Sequence, residues 1–174
     1  MVLGQVQVDP KSNEITALPE LLSMLAVAGC MVTLDALGCR REIAARIVDK
    51  EADYVLAVKA NQGTLYEDMV RYFEWAFKDQ FEQTTYSRHE RMDGEHGRLE
   101  VRRYSATSAI EWLSQKANWK GLQSIAMVES ERTILGEATS RERRYYISSL
   151  AADAPRLGGA MRGHWSSENS LYWV

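Results

Sequence analysis

Cysteine is scarce in this chain. The two present among 174 residues, Cys30 and Cys39, exclude a disulfide framework, and without a CxxC pair there is no zinc pattern to read. A reducing, cytoplasmic setting is the resulting expectation. Long hydrophobic runs are lacking too. No stretch approaches the ~20 apolar residues that a membrane span needs, and no signal-peptide pattern opens the chain. Nor is there an excess of positive charge. With 21 Lys and Arg against 24 Asp and Glu, the net charge is −3 and the pI about 5.7. That weighs against a broad basic footprint for nucleic acid but leaves local basic patches open. No internal repeat, low-complexity tract or linker divides the sequence, so 1–174 reads as one domain. The rest is ordinary for a globular protein, 45% hydrophobic and 26% charged, and long enough to bury a core.

Periodicity supplies the elements. Val2, Val6 and Val8 share one face against Gln5 and Gln7, which predicts a half-buried strand. Ile15, Leu18, Leu21, Leu22 and Leu25 recur at helical spacing, with Pro19 placed in a first turn and Gly29 as a stop. Cys30 to Leu34 and Tyr54 to Val58 are continuous apolar runs, the pattern of strands buried on both faces. Ile43, Ala44, Ile47 and Val48 mark a helix between them, so the two strands are expected to be parallel in a βαβ unit. Thr64-Leu65-Tyr66-Glu67 reads as a capping box opening a further helix. Asp79 to Gly97 is polar and turn-rich. Arg98 to Tyr104 alternates as a strand, and Ile110 with Leu113 suggests a short helix. Gln123 to Val128 and Arg144 to Ser149 are further strands joined by a polar loop around Gly136, and Asp153 caps a last helix. The fold class is α/β, with a β-rich segment inserted at roughly 84–150.

The residues able to carry chemistry are few. Asp35 ends the first buried parallel strand, and Lys59 and Asn61 end the second. Ligands and catalytic groups in open α/β sheets collect at that edge, although a turn-forming Asp after a strand is also common. Glu168 has His164 one turn before it and Tyr172 one turn after, with Arg162 further round. A helical carboxylate facing a strand-end carboxylate can share a divalent cation with it; the alternative is a surface helix with a Glu–His or Glu–Arg pair. His96, Arg98, Glu100 and Arg102 fall on one strand face, where they suit either phosphate contacts or cross-strand ion pairs.

Several stretches, in order along essentially the whole chain, resemble the insertion-sequence transposases of the ISAs1 group, the H-repeat-associated proteins. They are Leu3-Gly4-Gln5-Val6 with Lys11-Ser12-Asn13-Glu14-Ile15-Thr16-Ala17; Val32-Thr33-Leu34-Asp35-Ala36-Leu37-Gly38; Asp53-Tyr54-Val55-Leu56 with Lys59-Ala60-Asn61-Gln62-Gly63; Glu95-His96-Gly97-Arg98-Leu99-Glu100-Val101-Arg102; Arg144-Tyr145-Tyr146-Ile147-Ser148-Ser149-Leu150; and Arg162-Gly163-His164-Trp165 through Glu168-Asn169-Ser170-Leu171. The resemblance implies a DDE enzyme with an RNase H-like core, interrupted by the β-rich insertion, that cuts and rejoins DNA strands by two-metal phosphoryl transfer. It makes Asp35 the second acidic residue and Glu168 the third, both ligands of Mg²⁺ or Mn²⁺. Lys59, Asn61, His96, Arg98, Arg162 and His164 would approach DNA.

The departures matter equally. The family's first acidic residue lies upstream of Leu3 in an Asp-Gly-Lys context that these residues do not contain. Ser166-Ser167 stands where the family usually has Gly and an apolar residue, and Gly158-Gly159 weakens the same helix. The expectation is therefore an incomplete RNase H-like core, its first strands missing: an internal fragment with weak or absent metal binding and little or no strand transfer alone. The competing expectation is a non-enzymatic remnant that binds DNA or self-associates through exposed sheet edges. The expected partners are the DNA ends of the insertion sequence and, in the competing case, further copies of the chain, with no membrane.

Overall fold

A computed structural model of the chain describes residues 14–95, 98–134 and 138–171. The strand expected over Val2 to Val8 and the loop at Gly136 lie outside them. Within the described residues, four α-helices flank a mixed six-stranded sheet. The chain order is α1 (Glu14–Met24), β1 (Met31–Leu34), α2 (Arg41–Asp49), β2 (Asp53–Val58), α3 (Thr64–Lys78), β3 (Ser87–Glu95), β4 (Arg98–Thr107), β5 (Ser124–Ile134), β6 (Ser140–Ser148) and α4 (Ala154–Leu171). The sheet order is β1-β2-β6-β5-β4-β3.

β1 and β2 are parallel, in register from Met31 opposite Asp53 to Leu34 opposite Leu56. A parallel pair needs a crossover, and α2 provides it by burying Ile43, Ala44 and Ile47 on one stripe. α3 follows the same rule, with Leu65, Met69, Phe73 and Ala76 along its buried side. Lys50, after α2, donates its ammonium protons to the carbonyls of Ser23 and Leu25 at the C-terminal end of α1. A cation there satisfies orphan carbonyls and suits the helix dipole.

The remaining four strands run antiparallel, and β6 joins them to β2 from Val55 opposite Ser148 to Val58 opposite Tyr145. Alternation then sorts the side chains into two cores. Tyr54, Leu56, Val58, Ile125, Met127, Tyr145 and Ile147 pack beneath α1, α2 and α3. Val55, Tyr104, Ala106, Ala126, Val128 and Tyr146 face the opposite way, against Ala154, Leu157 and Met161 of α4. α4 touches β1 and β2 as well as β3, β4 and β5, so this one helix spans the sheet from edge to edge.

Some expectations fail for physical reasons. Thr64 does not cap α3. Gly63 does, with φ 49°, and no side chain bonds to the cap. Because Thr64 is already helical, the Thr64–Glu67 spacing no longer matches a capping box. Pro19 lies in the middle of α1, not in its first turn. The polar segment after Asp79 holds β3, whose sequence Ser-Arg-His-Glu-Arg-Met-Asp-Gly-Glu has no apolar face to announce it. Ile110 and Leu113 are buried in turns, and the short 3₁₀ turn falls later, at Lys116–Asn118. β4, β5 and β6 run longer than their apolar halves because charge pairing continues the ladders. Arg103 reaches Glu90, Glu129 and Glu131; Arg143 pairs with Glu129, and Arg141 with Glu131.

Candidate active site at the end of the parallel strands

Asp35 is the first residue beyond β1, and Lys59 the first beyond β2. Because the two strands are parallel, both residues leave the sheet at its same edge, where they line one crevice of about 330 Å³. Tyr66 from α3 and the unbroken run Glu142 to Tyr146 of β6 add the rest of its polar lining. Sequence reading placed Asp35 and Lys59 together but missed these residues. Nothing local marks them, because the sequence of β6 does not say which strand it will join.

The Asp35 carboxylate is held from one side. Its Oδ1 accepts the N–H groups of Leu37, at 3.1 Å, and Gly38, at 3.2 Å. This is the turn role a strand-end Asp commonly plays. Its Oδ2 accepts no hydrogen bond among the described residues. One oxygen therefore orients the group while the other stays open. Gly38 fits because a Cβ there would come within 2.9 Å of the Leu34 Cβ.

The loop after β1 is tied to the 3₁₀ turn Ala60–Gln62 after β2. Asn61 donates through Nδ2 to the Ala36 carbonyl at 3.2 Å, and Gln62 donates through Nε2 to the Cys39 carbonyl. Asn61 thus braces the crevice rim. Cys39 beneath it is fully buried, and burial, with the nearby Asp35 charge, pushes its thiol up to about 12. It is a packing residue, not a nucleophile.

Across the crevice Arg144 grips Glu142 in a fork, Nε to Oε1 at 2.8 Å and Nη2 to Oε2 at 3.0 Å. That hydrogen bonding holds the Glu142 carboxyl below its usual range against the opposing effect of burial, helped by the charges of Arg144, Lys59 and Arg132. Lys59 itself is exposed.

Glu168 lies in α4, two turns after Met161, which packs on the α4 side of the sheet. The side chains of Glu168, His164 and Arg98 lie outside the described residues, and so does all of His96. Arg162 does not line the Asp35 crevice. It joins Arg91, His89 and Tyr104 in a second cavity between α4 and β3–β4. Arg102 and Glu100, expected on one strand face, bond to each other at 2.9 Å, and Arg102 also reaches Asp93. Among the described residues no three His, Cys, Asp or Glu side chains converge, and no helix is long and apolar enough to cross a membrane.

Open α/β sheets commonly gather ligand-binding groups at the ends of their parallel strands, and this mixed sheet has a half-open carboxylate and a lysine there. Comparison with known proteins goes further. The family model described as "Transposase DDE domain" matches residues 1–174, and the chain belongs to that family. It is 39% identical over 182 residues to the putative transposase YncI of Escherichia coli O157:H7, covering 100% of this chain and 45% of that protein. To the H repeat-associated putative transposase YhhI of Escherichia coli strain K12 it is 38% identical over 177 residues, 99% of this chain and 46% of the relative. An uncharacterized protein in the dhlA 3' region of Xanthobacter autotrophicus is 42% identical over 153 residues, 88% of this chain and 50% of the relative. The chain spans about half the length of the curated relatives it matches. No solved structure matches it.

Proposed function

We propose that residues 1–174 form part of the catalytic core of an insertion-sequence transposase of the ISAs1 group, which cuts and rejoins DNA strands at the edge where Asp35 emerges. On this reading β1, α2, β2, α3 and α4 belong to an RNase H-like core, and the segment at about 84–150 is a β-rich insertion that lengthens its sheet. The observation that carries the reading is Asp35 itself, a carboxylate at the end of a parallel strand with one oxygen fixed by two backbone N–H groups and the other open. Family membership and the position of Glu168 on α4, the helix that reaches β1, support it.

The open oxygen fits a hard divalent cation, Mg²⁺ or Mn²⁺. Asp35 and Glu168 would hold it, and when bound it would supply charge stabilisation for phosphoryl transfer. The protein's own part is to orient the Asp35 carboxylate through the Leu37 and Gly38 amides. Lys59 places a positive charge on the same crevice, suited to a phosphate. Asn61 braces the loop that carries Asp35. These residues supply two of the three carboxylates the reading calls for, so alone they are expected to bind metal weakly and to transfer strands little or not at all.

Titration of Mn²⁺ into wild type and Asp35→Asn tests this. The amide keeps the acceptor that the Leu37 and Gly38 N–H groups need but removes the charge. Affinity is expected to fall at least about tenfold, a change of ~1.4 kcal/mol in binding. Equal binding by both proteins would remove Asp35 from the metal site; binding by neither would mean that the site is not assembled by these residues alone. β1 is an edge strand among the described residues, which keeps self-association through that edge as the second reading; a monomeric solution mass at high concentration would count against it.

A further inference from the structure

We propose that Lys59, Arg144 and Arg132 form a track for the phosphate backbone of DNA that leaves the Asp35 crevice and runs across β6 onto β5. Alternation places the three cations on one face of the sheet. Val55 and Ala57 of β2, Tyr146 of β6 and Val128 of β5 pack toward α4. Lys59 continues β2 with extended backbone, φ −125° and ψ 178°. Glu142 and Arg144 share the side of Tyr146 on β6, and Ser130 and Arg132 share the side of Val128 on β5. Register brings them together. β2 pairs with β6 as far as Val58 opposite Tyr145, and the same register carried one residue further sets Lys59 beside Arg144. β5 places Val128 opposite Arg144 and Ser130 opposite Glu142. Lys59 and Arg144 also line the crevice itself.

The patch is open to solvent, and its positive charge is only partly matched. Lys59, Arg132, Glu142 and Arg144 are all exposed, with 44% of the Arg144 side chain and 59% of the Glu142 side chain accessible. Neither Lys59 nor Arg132 makes a side-chain hydrogen bond or ion pair among the described residues. Glu142 forks onto Arg144, and the charges of Lys59 and Arg132 act on the same carboxylate. One carboxylate therefore answers three cations. Glu100, opposite Arg132 on β4, is bound by Arg102. The other face of these strands is balanced, since Arg103, Arg141 and Arg143 meet Glu90, Glu129 and Glu131. A chain of net charge −3 thus carries a local excess of positive charge beside its crevice. Lys59 lies level with Val128, and Arg132 is two inter-strand steps and four residues of strand away, a backbone separation on the order of 15 Å. That spread suits successive phosphates of a strand better than one free ion. That the polyanion is DNA rests on the transposase reading; the excess charge does not.

The test is binding of a labelled DNA duplex by the whole chain over a range of salt, for wild type, Arg132→Ala, Arg144→Ala, Glu142→Gln and Arg141→Ala. All four positions are exposed, so each variant is expected to fold. Arg132→Ala and Arg144→Ala are each expected to lower affinity about threefold or more. Each is also expected to shrink the slope of log affinity against log salt by about 1, the mark of one lost phosphate contact. Glu142→Gln removes the carboxylate of the patch and is expected to tighten binding, a sign that structural damage does not give. Arg141→Ala makes the same charge change on the other face of β6 and is expected to leave the slope as it is. Wild type that does not bind the duplex, unchanged slopes in both track variants, or an equal loss in Arg141→Ala would overturn the track. The Mn²⁺ titration of Asp35→Asn reports on the metal site separately. Equal Mn²⁺ binding there, alongside weakened DNA binding in Arg132→Ala, would remove the metal reading and keep the track.

Discussion

At the scale of single residues, burial decides which polar groups are available. The two cysteines look alike in sequence, each flanking the first parallel strand, yet Cys30 is exposed and Cys39 is fully buried. A thiol-specific reagent at pH 8 is expected to modify Cys30 alone in the native protein and both cysteines in denaturant; rapid native labelling of both would show that Cys39 is not sealed. The same burial has a consequence at high pH. Cys39 is raised from 9.0 to about 12, and Tyr54, buried beside it, is raised above its ordinary 10.0. Both groups fold in their neutral, protonated forms. Their stabilisation is complete below the unfolded values and is lost as pH climbs through the folded ones. Stability to urea is therefore expected to decline from about pH 9 towards pH 12, and less steeply in Cys39→Ala than in wild type. Equal slopes would refute that role for the thiol. Asp35 and Lys59 were legible as candidates because each directly follows an apolar run. Tyr66, Glu142 and Arg144 were not, because nothing local distinguishes a crevice residue from any other polar residue on an element.

At the scale of elements, apolar periodicity reports burial on one side and little else. It located α2, α3 and β2, whose stripes and runs are buried, and it located β1, but that strand is half-buried at the sheet edge instead of buried on both faces. It missed β3, an edge strand held by ion pairs and by backbone bonds to β4 rather than by an apolar face. In α4 the adjacent glycines look equivalent in sequence but are not equivalent in the fold. Gly158→Ala forces a Cβ to 2.9–3.1 Å from the Tyr104 ring, and overpacking of this kind costs roughly 1–3 kcal/mol. Gly159→Ala meets nothing, so it is expected to gain up to ~1 kcal/mol of helix propensity. Chemical denaturation of the two variants gives opposite signs if the helix packs as described; the same sign in both would mean that α4 sits elsewhere on the sheet.

At the scale of the whole molecule, a small set of buried serines welds the parallel pair to the antiparallel strands. Ser149 Oγ receives the Tyr54 N–H at 2.9 Å and donates to Asp53 Oδ1 at 2.8 Å, while Ser148 Oγ donates to the Tyr54 carbonyl at 2.7 Å. Ser149→Ala strands the buried Tyr54 N–H, which is expected to cost ~1–3 kcal/mol in urea denaturation; an unchanged midpoint would mean that water or a backbone shift replaces the bond. Ser148-Ser149 carries no signal of this role in the sequence, since a hydroxyl's partner is chosen by the strand that comes to lie beside it. The sequence by itself determined the βαβ unit, the candidate Asp35, the Asp153 cap of the last helix and the likeness to a transposase family, because each rests on local spacing or on ordered motifs. Only the tertiary structure decided that β6 inserts beside β2, that α4 reaches from β3 to β1, and that Arg162 faces Tyr104 instead of Asp35. Those outcomes depend on contacts between residues far apart in the chain, which form only when two cores are packed on opposite faces of one sheet.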